Sequence, residues 1–139
     1  MNGIPFTILI VEDDDDDRVI IDEAFIEIGY EAEVKKFING EMMLRYLEKV
    51  GASLYPSLIV LDNTLPKLNA AEILVILKKD PRFSSIPVII YTSSISPQKK
   101  QQLLSLGAYA CIEKAALMHD VVQLAKELKS VALAHPNQG

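Results

Sequence analysis

The chain has 139 residues, half of them apolar and about a quarter charged, the profile of one water-soluble domain with room for one core. No apolar run approaches the roughly 20 residues of a membrane helix, residues 1–6 lack the basic-then-apolar order of a signal peptide, and the single cysteine, Cys111, cannot form an internal disulfide, so a cytoplasmic protein away from membranes is expected. The net charge of −5 is local: Glu12 to Asp17 are six consecutive acids, and without them 13 acids face 14 bases, which leaves no basic footprint for nucleic acid.

Residues 6–11 (FTILIV) predict a buried strand that ends at Glu12 and Asp13. A helix follows from about Asp16, with Val19, Ile20, Phe25 and Ile28 near helical spacing and Gly29 at its end. The aspartates before it suit helix capping and the helix dipole. Residues 31–37 predict a weaker strand in which Val34 is apolar and two lysines are exposed, as expected at a sheet edge. Asn39 starts a second helix carrying Met43, Leu44, Leu47 and Val50, which stops at Gly51.

Leu58 to Leu61 is a continuous aliphatic run that leads straight into Asp62, with Pro66 four positions later. After it come a third helix over 70–79, with Ile73, Leu74 and Leu77, and a buried strand over 86–91 that ends at Thr92, Ser93 and Ser94. Pro97 fits the first turn of a fourth helix, which includes Leu103, Leu104 and Leu106 and ends at Gly107. Residues 109–113 make a short fifth strand with Lys114 at its end. A last helix over about 117–133 places Val121, Leu124, Leu128 and Val131 on one stripe, and a short tail follows. Five strands alternating with five helices predict an α/β fold, a doubly wound five-stranded parallel sheet with right-handed crossovers. The expected organisation is a single domain over 1–139, with its core at about 6–133 and a frayed C-terminal tail.

In a parallel sheet the carboxyl ends of all strands share one edge, where ligands bind. That edge would collect Glu12, Asp13, Asp62, Thr92 and Lys114. Crowded carboxylates repel and call for a cation, and an all-oxygen site suits a hard divalent ion such as Mg²⁺. A carboxylate such as Asp62 can attack phosphorus. A metal and Lys114 would neutralise charge on the transferring group, and the Thr92 hydroxyl would donate to a phosphoryl oxygen.

The sequence resembles the receiver domain of two-component response regulators over nearly the whole chain. Residues 8–13 (ILIVED), Leu58 to Asp62 with Pro66, residues 88–93 (VIIYTS), and Gly107-Ala108 followed by Lys114 carry the resemblance. Residues 78–81 (KKDP) ahead of Ile86-Pro87 also resemble stand-alone receivers related to those that partner bacterial phytochromes. The resemblance implies a (βα)5 flavodoxin-like fold with Asp62 as phosphoacceptor. Mg²⁺ or Mn²⁺ would be held by Glu12, Asp13, Asp62 and the backbone carbonyl of Thr64. Thr92 would be the switch hydroxyl and Lys114 its ion-pairing lysine. The implied donor is a phosphohistidine on a sensor histidine kinase or phosphotransfer protein, or a small acyl phosphate. The resemblance further implies a signalling module, not an enzyme, with an unidentified downstream protein partner. It offers the fourth helix, fifth strand and fifth helix as a homodimer face.

Three positions depart from the family pattern. Cys111 stands where an aromatic residue usually moves inward, so no ring can carry that signal. Ala115 replaces the proline after the lysine, removing easy access to a cis bond. Ala70 replaces a glycine at the start of the third helix. Other features read plainly: Asp14 to Asp17 as solvated helix caps, His119 and His135 as surface residues without metal-ligand spacing, and Met42 and Met43 as helix packing. Two competing functions remain. One is a degenerate receiver acting as an unphosphorylated docking scaffold. The other is a small phosphohydrolase, because residues 62–65 (DNTL) faintly resemble haloacid-dehalogenase-type phosphatases, although Thr64 stands where their second aspartate is required.

Overall fold

In the computed structural model the described residues are 7–12, 23, 26–27, 33–63, 65, 68–93, 95–113, 122–123, 125–127 and 130–131. Five aliphatic-rich segments form strands β1 (Thr7–Val11), β2 (Glu33–Phe37), β3 (Leu58–Leu61), β4 (Val88–Thr92) and β5 (Ala110–Glu113). They pair in parallel in the order β2-β1-β3-β4-β5. Every residue of β1, β3 and β4 is buried, because a parallel sheet is covered on both faces and its inner strands must be apolar on both. The weakly apolar β2 lies at one edge, as its composition predicts, and β5 at the other.

Three helices are bounded within the described residues: α1 (Gly40–Lys49), α2 (Ala70–Lys79) and α3 (Pro97–Ser105), the second to fourth of those predicted. Each starts at a side-chain cap. Asn39 Oδ1 accepts from the Met42 N–H at 2.9 Å, and Ser96 Oγ accepts from the Lys99 N–H at 3.1 Å ahead of Pro97. At α2 the cap is reciprocal: Asn69 Oδ1 accepts from the Glu72 N–H at 2.9 Å, and the Asn69 N–H donates to Glu72 Oε1 at 3.0 Å. Glu23, Ile26 and Glu27 are helical and exposed where the first helix is expected.

Strand alternation sorts the interior into two layers. Leu9, Val11, Ile59, Leu61, Val88 and Ile90 pack with Met43 and Leu47 of α1, Ile73, Leu74 and Leu77 of α2, and Leu103 of α3. Ile8, Ile10, Leu58, Val60, Ile89 and Tyr91 face the other way, against Val122, Ala125 and Val131. Within the last predicted helix, Val131 was on the expected stripe and Val122 and Ala125 were not. Val121, Leu124 and Leu128 lie outside the described residues, as does the expected tail.

The other differences are local. β4 begins at Val88 and not at residue 86. Pro87 has no N–H to give a neighbouring strand, although its carbonyl still accepts from the Ile59 N–H at 3.0 Å. A 3₁₀ turn, Ala52–Leu54, follows α1. Met42 is 44% exposed and only Met43 packs in the core, because adjacent helix positions point about 100° apart. No described helix is long and apolar enough to cross a membrane.

The chain passes from β1 outward to β2 and then back across to β3, so the strand order reverses between β1 and β3. Connections diverge there and leave a crevice at the carboxyl edge of the sheet. The Asn69 cap sets the start of α2 beyond that crevice. Asn69→Ala is expected to lower folding stability by about 1 kcal/mol, read as a shift in urea midpoint at unchanged slope.

Candidate functional site

Val11 and Leu61 are register partners on β1 and β3, and the next residue on each strand is acidic. The Glu12 N–H donates to the Phe37 carbonyl of β2 at 2.9 Å, and the Asp62 N–H donates to the Val11 carbonyl at 3.1 Å. These last rungs hold both backbones on adjacent strands, about 4.8 Å apart across the ladder. Both residues are buried, Glu12 at 1% exposure and Asp62 at 4%. Burial disfavours each negative charge and proximity adds repulsion. A hard divalent cation is the counter-charge that matches two such oxygen donors. Among the described residues no group of three His, Cys, Asp or Glu forms a metal cluster. The third expected carboxylate, Asp13, lies outside them, as do Thr64 and Lys114.

Thr92 ends β4 and is 1% exposed. Because Leu61 is opposite Ile90, Asp62 stands in the row of Tyr91 and Thr92 one row beyond. Glu113 is the register partner of Thr92 on β5. The structure thus brings Glu12, Asp62 and Thr92 to one edge from three neighbouring strands. A buried Tyr91 beside Asp62 is a further feature of the site; the aromatic ahead of Thr92 is its only sequence signal.

Cys111 is opposite Ile90 and shares the face of Thr92. It is half-buried against the larger core layer, where Ile95 and Leu104 also pack. Burial pushes its thiol above the ordinary cysteine range, and Lys100 of α3 pulls weakly the other way. Tyr109, two residues earlier, is 52% exposed.

A family model for the response regulator receiver domain matches residues 8–126. The chain is 31% identical over 128 residues to the probable methanogenesis regulatory protein FilR2 of Methanothrix harundinacea, covering 90% of this chain and 82% of the relative. It is 26% identical over 129 residues to response regulator Rcp1 of Synechocystis sp., covering 91% and 88%. Among solved structures, the phosphorylated cyanobacterial phytochrome response regulator RcpA is similar, with a TM-score of 0.83 and 30% identity over 95% of this chain and 96% of that one. The Mn²⁺-bound form of Rcp1 gives 0.79 and 26% over 91% and 93%.

The thiolate is the reactive form of cysteine, and the raised pKa of Cys111 makes it scarce. The pH midpoint of Cys111 alkylation in the folded protein should therefore lie above the value of about 8.5 for free cysteine. Lys100→Gln should raise that midpoint further. A folded pKa above the unfolded one contributes stability below the unfolded value, lost as pH rises through the folded value. A midpoint at or below that of the denatured chain would contradict this placement of the thiol.

Proposed function

The chain belongs to the response regulator receiver domain family, and from that premise we propose that it is a phosphorylation-switched signalling module whose acceptor is Asp62. The burial of Glu12 and Asp62 on adjacent strand ends carries the reading. An Asp62 carboxylate oxygen attacks phosphorus and a new P–O bond forms. With a donor histidine the P–N bond breaks and the electron pair leaves on nitrogen; with an acyl phosphate donor the P–O bond breaks and the pair leaves on the carboxylate oxygen. The donor is a sensor histidine kinase, a phosphotransfer protein or a small acyl phosphate. RcpA is a phytochrome response regulator, so a phytochrome-type kinase is the first donor to test.

Glu12, Asp13 and Asp62, with the Thr64 backbone carbonyl, would hold Mg²⁺ or Mn²⁺. A divalent ion there supplies neutralisation of charge on the transferring group. The remaining work belongs to side chains. Glu12 keeps the acceptor end of the sheet anionic. The Thr92 hydroxyl donates to a phosphoryl oxygen, and the Lys114 ammonium pairs with the product. The acyl phosphate carries about −1.5 to −2 charge in place of the single charge of the carboxylate and presents new acceptor oxygens, which draw Thr92 and the segment after it towards Asp62. The downstream partner is a protein that distinguishes the two states.

Acyl phosphate with Mg²⁺ is expected to add one phosphoryl group to the wild type and none to Asp62→Asn, read by intact mass under acid-preserving conditions. Equal labelling of the two would overturn the assignment. Without any phosphodonor, Mg²⁺ should raise the melting temperature of the wild type through binding to the folded state alone. Glu12→Gln should lose most of that shift, and chelator should abolish it. Labelling that fails in the wild type, together with partner binding that survives Asp62→Asn, would favour the unphosphorylated docking scaffold.

A further inference from the structure

The two ends of α3 are held very differently. In Pro97–Ser105 the apolar residues come only in the last turn: Leu103 is fully buried, whereas Pro97, Gln98 and residues 100–102 are exposed. Residues 97–102 therefore bury no apolar side chain in the core, and of them only Lys99 is half-buried.

The far end is locked. The Leu106 N–H donates to the Gln102 carbonyl at 3.0 Å, the Gly107 N–H to Leu104 at 3.1 Å and the Ala108 N–H to Leu103 at 3.0 Å. The last two bonds are the pair of a Schellman turn. Gly107 takes the positive φ of 114° that such a turn needs. Ala108 is buried, and the Tyr109 N–H then donates to the Val88 carbonyl at 2.7 Å, starting β5.

Lys78, from the last turn of α2, fastens this turn to the rest of the domain. A Cβ on Gly107 would lie 2.9 Å from Lys78 Cγ and 3.3 Å from Cδ, so the lysine stem rests directly on the glycine. Its ammonium donates to the carbonyls of Ser84 at 3.1 Å and Ile86 at 2.8 Å. Burial pushes the ammonium pKa down, a cost that the two carbonyl bonds offset. One side chain thus ties α2, the lead into β4 and the α3–β5 turn together, at the amino edge of the sheet. Thr92 and the other end of α3 lie at the carboxyl edge.

We propose that Lys78 is a positioning residue for the response, the fulcrum about which α3 swings when Thr92 follows a phosphoryl group on Asp62. This rests on the phosphoacceptor reading above. Cys111 is too small to brace the helix from below, so the swing is transmitted along the chain from Thr92 to Ser96. Residues 93–102 move, and residues 103–109 stay with Lys78.

Amide hydrogen exchange with and without beryllofluoride and Mg²⁺ tests this. In the wild type, protection should shift across 93–102 and stay unchanged across 103–109. Lys78→Met keeps the stem and loses the ammonium. Its beryllofluoride-dependent shift should spread into 103–109 while acyl phosphate still labels it to the wild-type stoichiometry. Lys78→Arg, which retains donors, should restore the wild-type pattern. An even shift over 93–109 in the wild type would overturn the fulcrum, and this comparison needs no variant. A Lys78→Met pattern identical to wild type would overturn the role of Lys78. Wild-type protein that acyl phosphate does not label would sink the phosphoacceptor reading and the fulcrum with it; labelling with an even shift sinks only the fulcrum.

Discussion

Two carboxylates sit side by side, out of water, at the point where the strand order of the sheet reverses. Glu12 and Asp62 are held there by backbone bonds to Phe37 and Val11, the last rungs of ladders whose inner strands are fully buried. Neither residue would choose this position on its own solvation energy. The apolar layers on both faces of β1 and β3 carry the cost, because moving either carboxylate would break a strand that anchors much of the core. Two buried acids on adjacent strand ends are the feature on which the proposed phosphoacceptor role rests.

In the proposed switch the response has no ring to carry it. In receivers with an aromatic residue at the position of Cys111, a large side chain can change places; here a half-buried thiol occupies the corresponding place opposite Ile90. Cysteine packs as a small hydrophobe, and residues 97–102 of α3 bury no apolar side chain. The helix is instead secured at its distal end, by the Gly107 turn, Leu103 and the stem of Lys78. Loss of a bulky coupling element and concentration of anchorage at one end are two aspects of the same arrangement. In the proposed switch they make the end nearest Thr92 the part of the helix that moves.

Surface charge takes a different part. Arg82 reaches Glu48 at 2.8 Å and Asp80 at 2.7 Å, joining the ends of α1 and α2 on the side away from the carboxylates. Its guanidinium holds both carboxyls below their usual range. All three groups are solvated, so the network orients the helix ends more than it stabilises them.

Much of the architecture was legible in the chain itself. Runs such as Leu58 to Leu61 bounded by turn residues read as strands covered on both sides, and Asn39 and Pro97 mark helix starts by preferences that act within a few residues. The acidic and hydroxyl groups at strand ends were equally readable, since a parallel sheet collects its carboxyl ends at one edge whatever its strand order. What the sequence could not contain was the order itself. Only the tertiary structure decided that β1 lies between β2 and β3, which makes Glu12 and Asp62 neighbours in one row. It likewise decided that the Lys78 stem meets Gly107 and that Val122, Ala125 and Val131 pack in the second layer. Strand order, register and lysine reach depend on contacts between residues far apart in the chain, and those are settled by packing the whole core at once, not by any local preference.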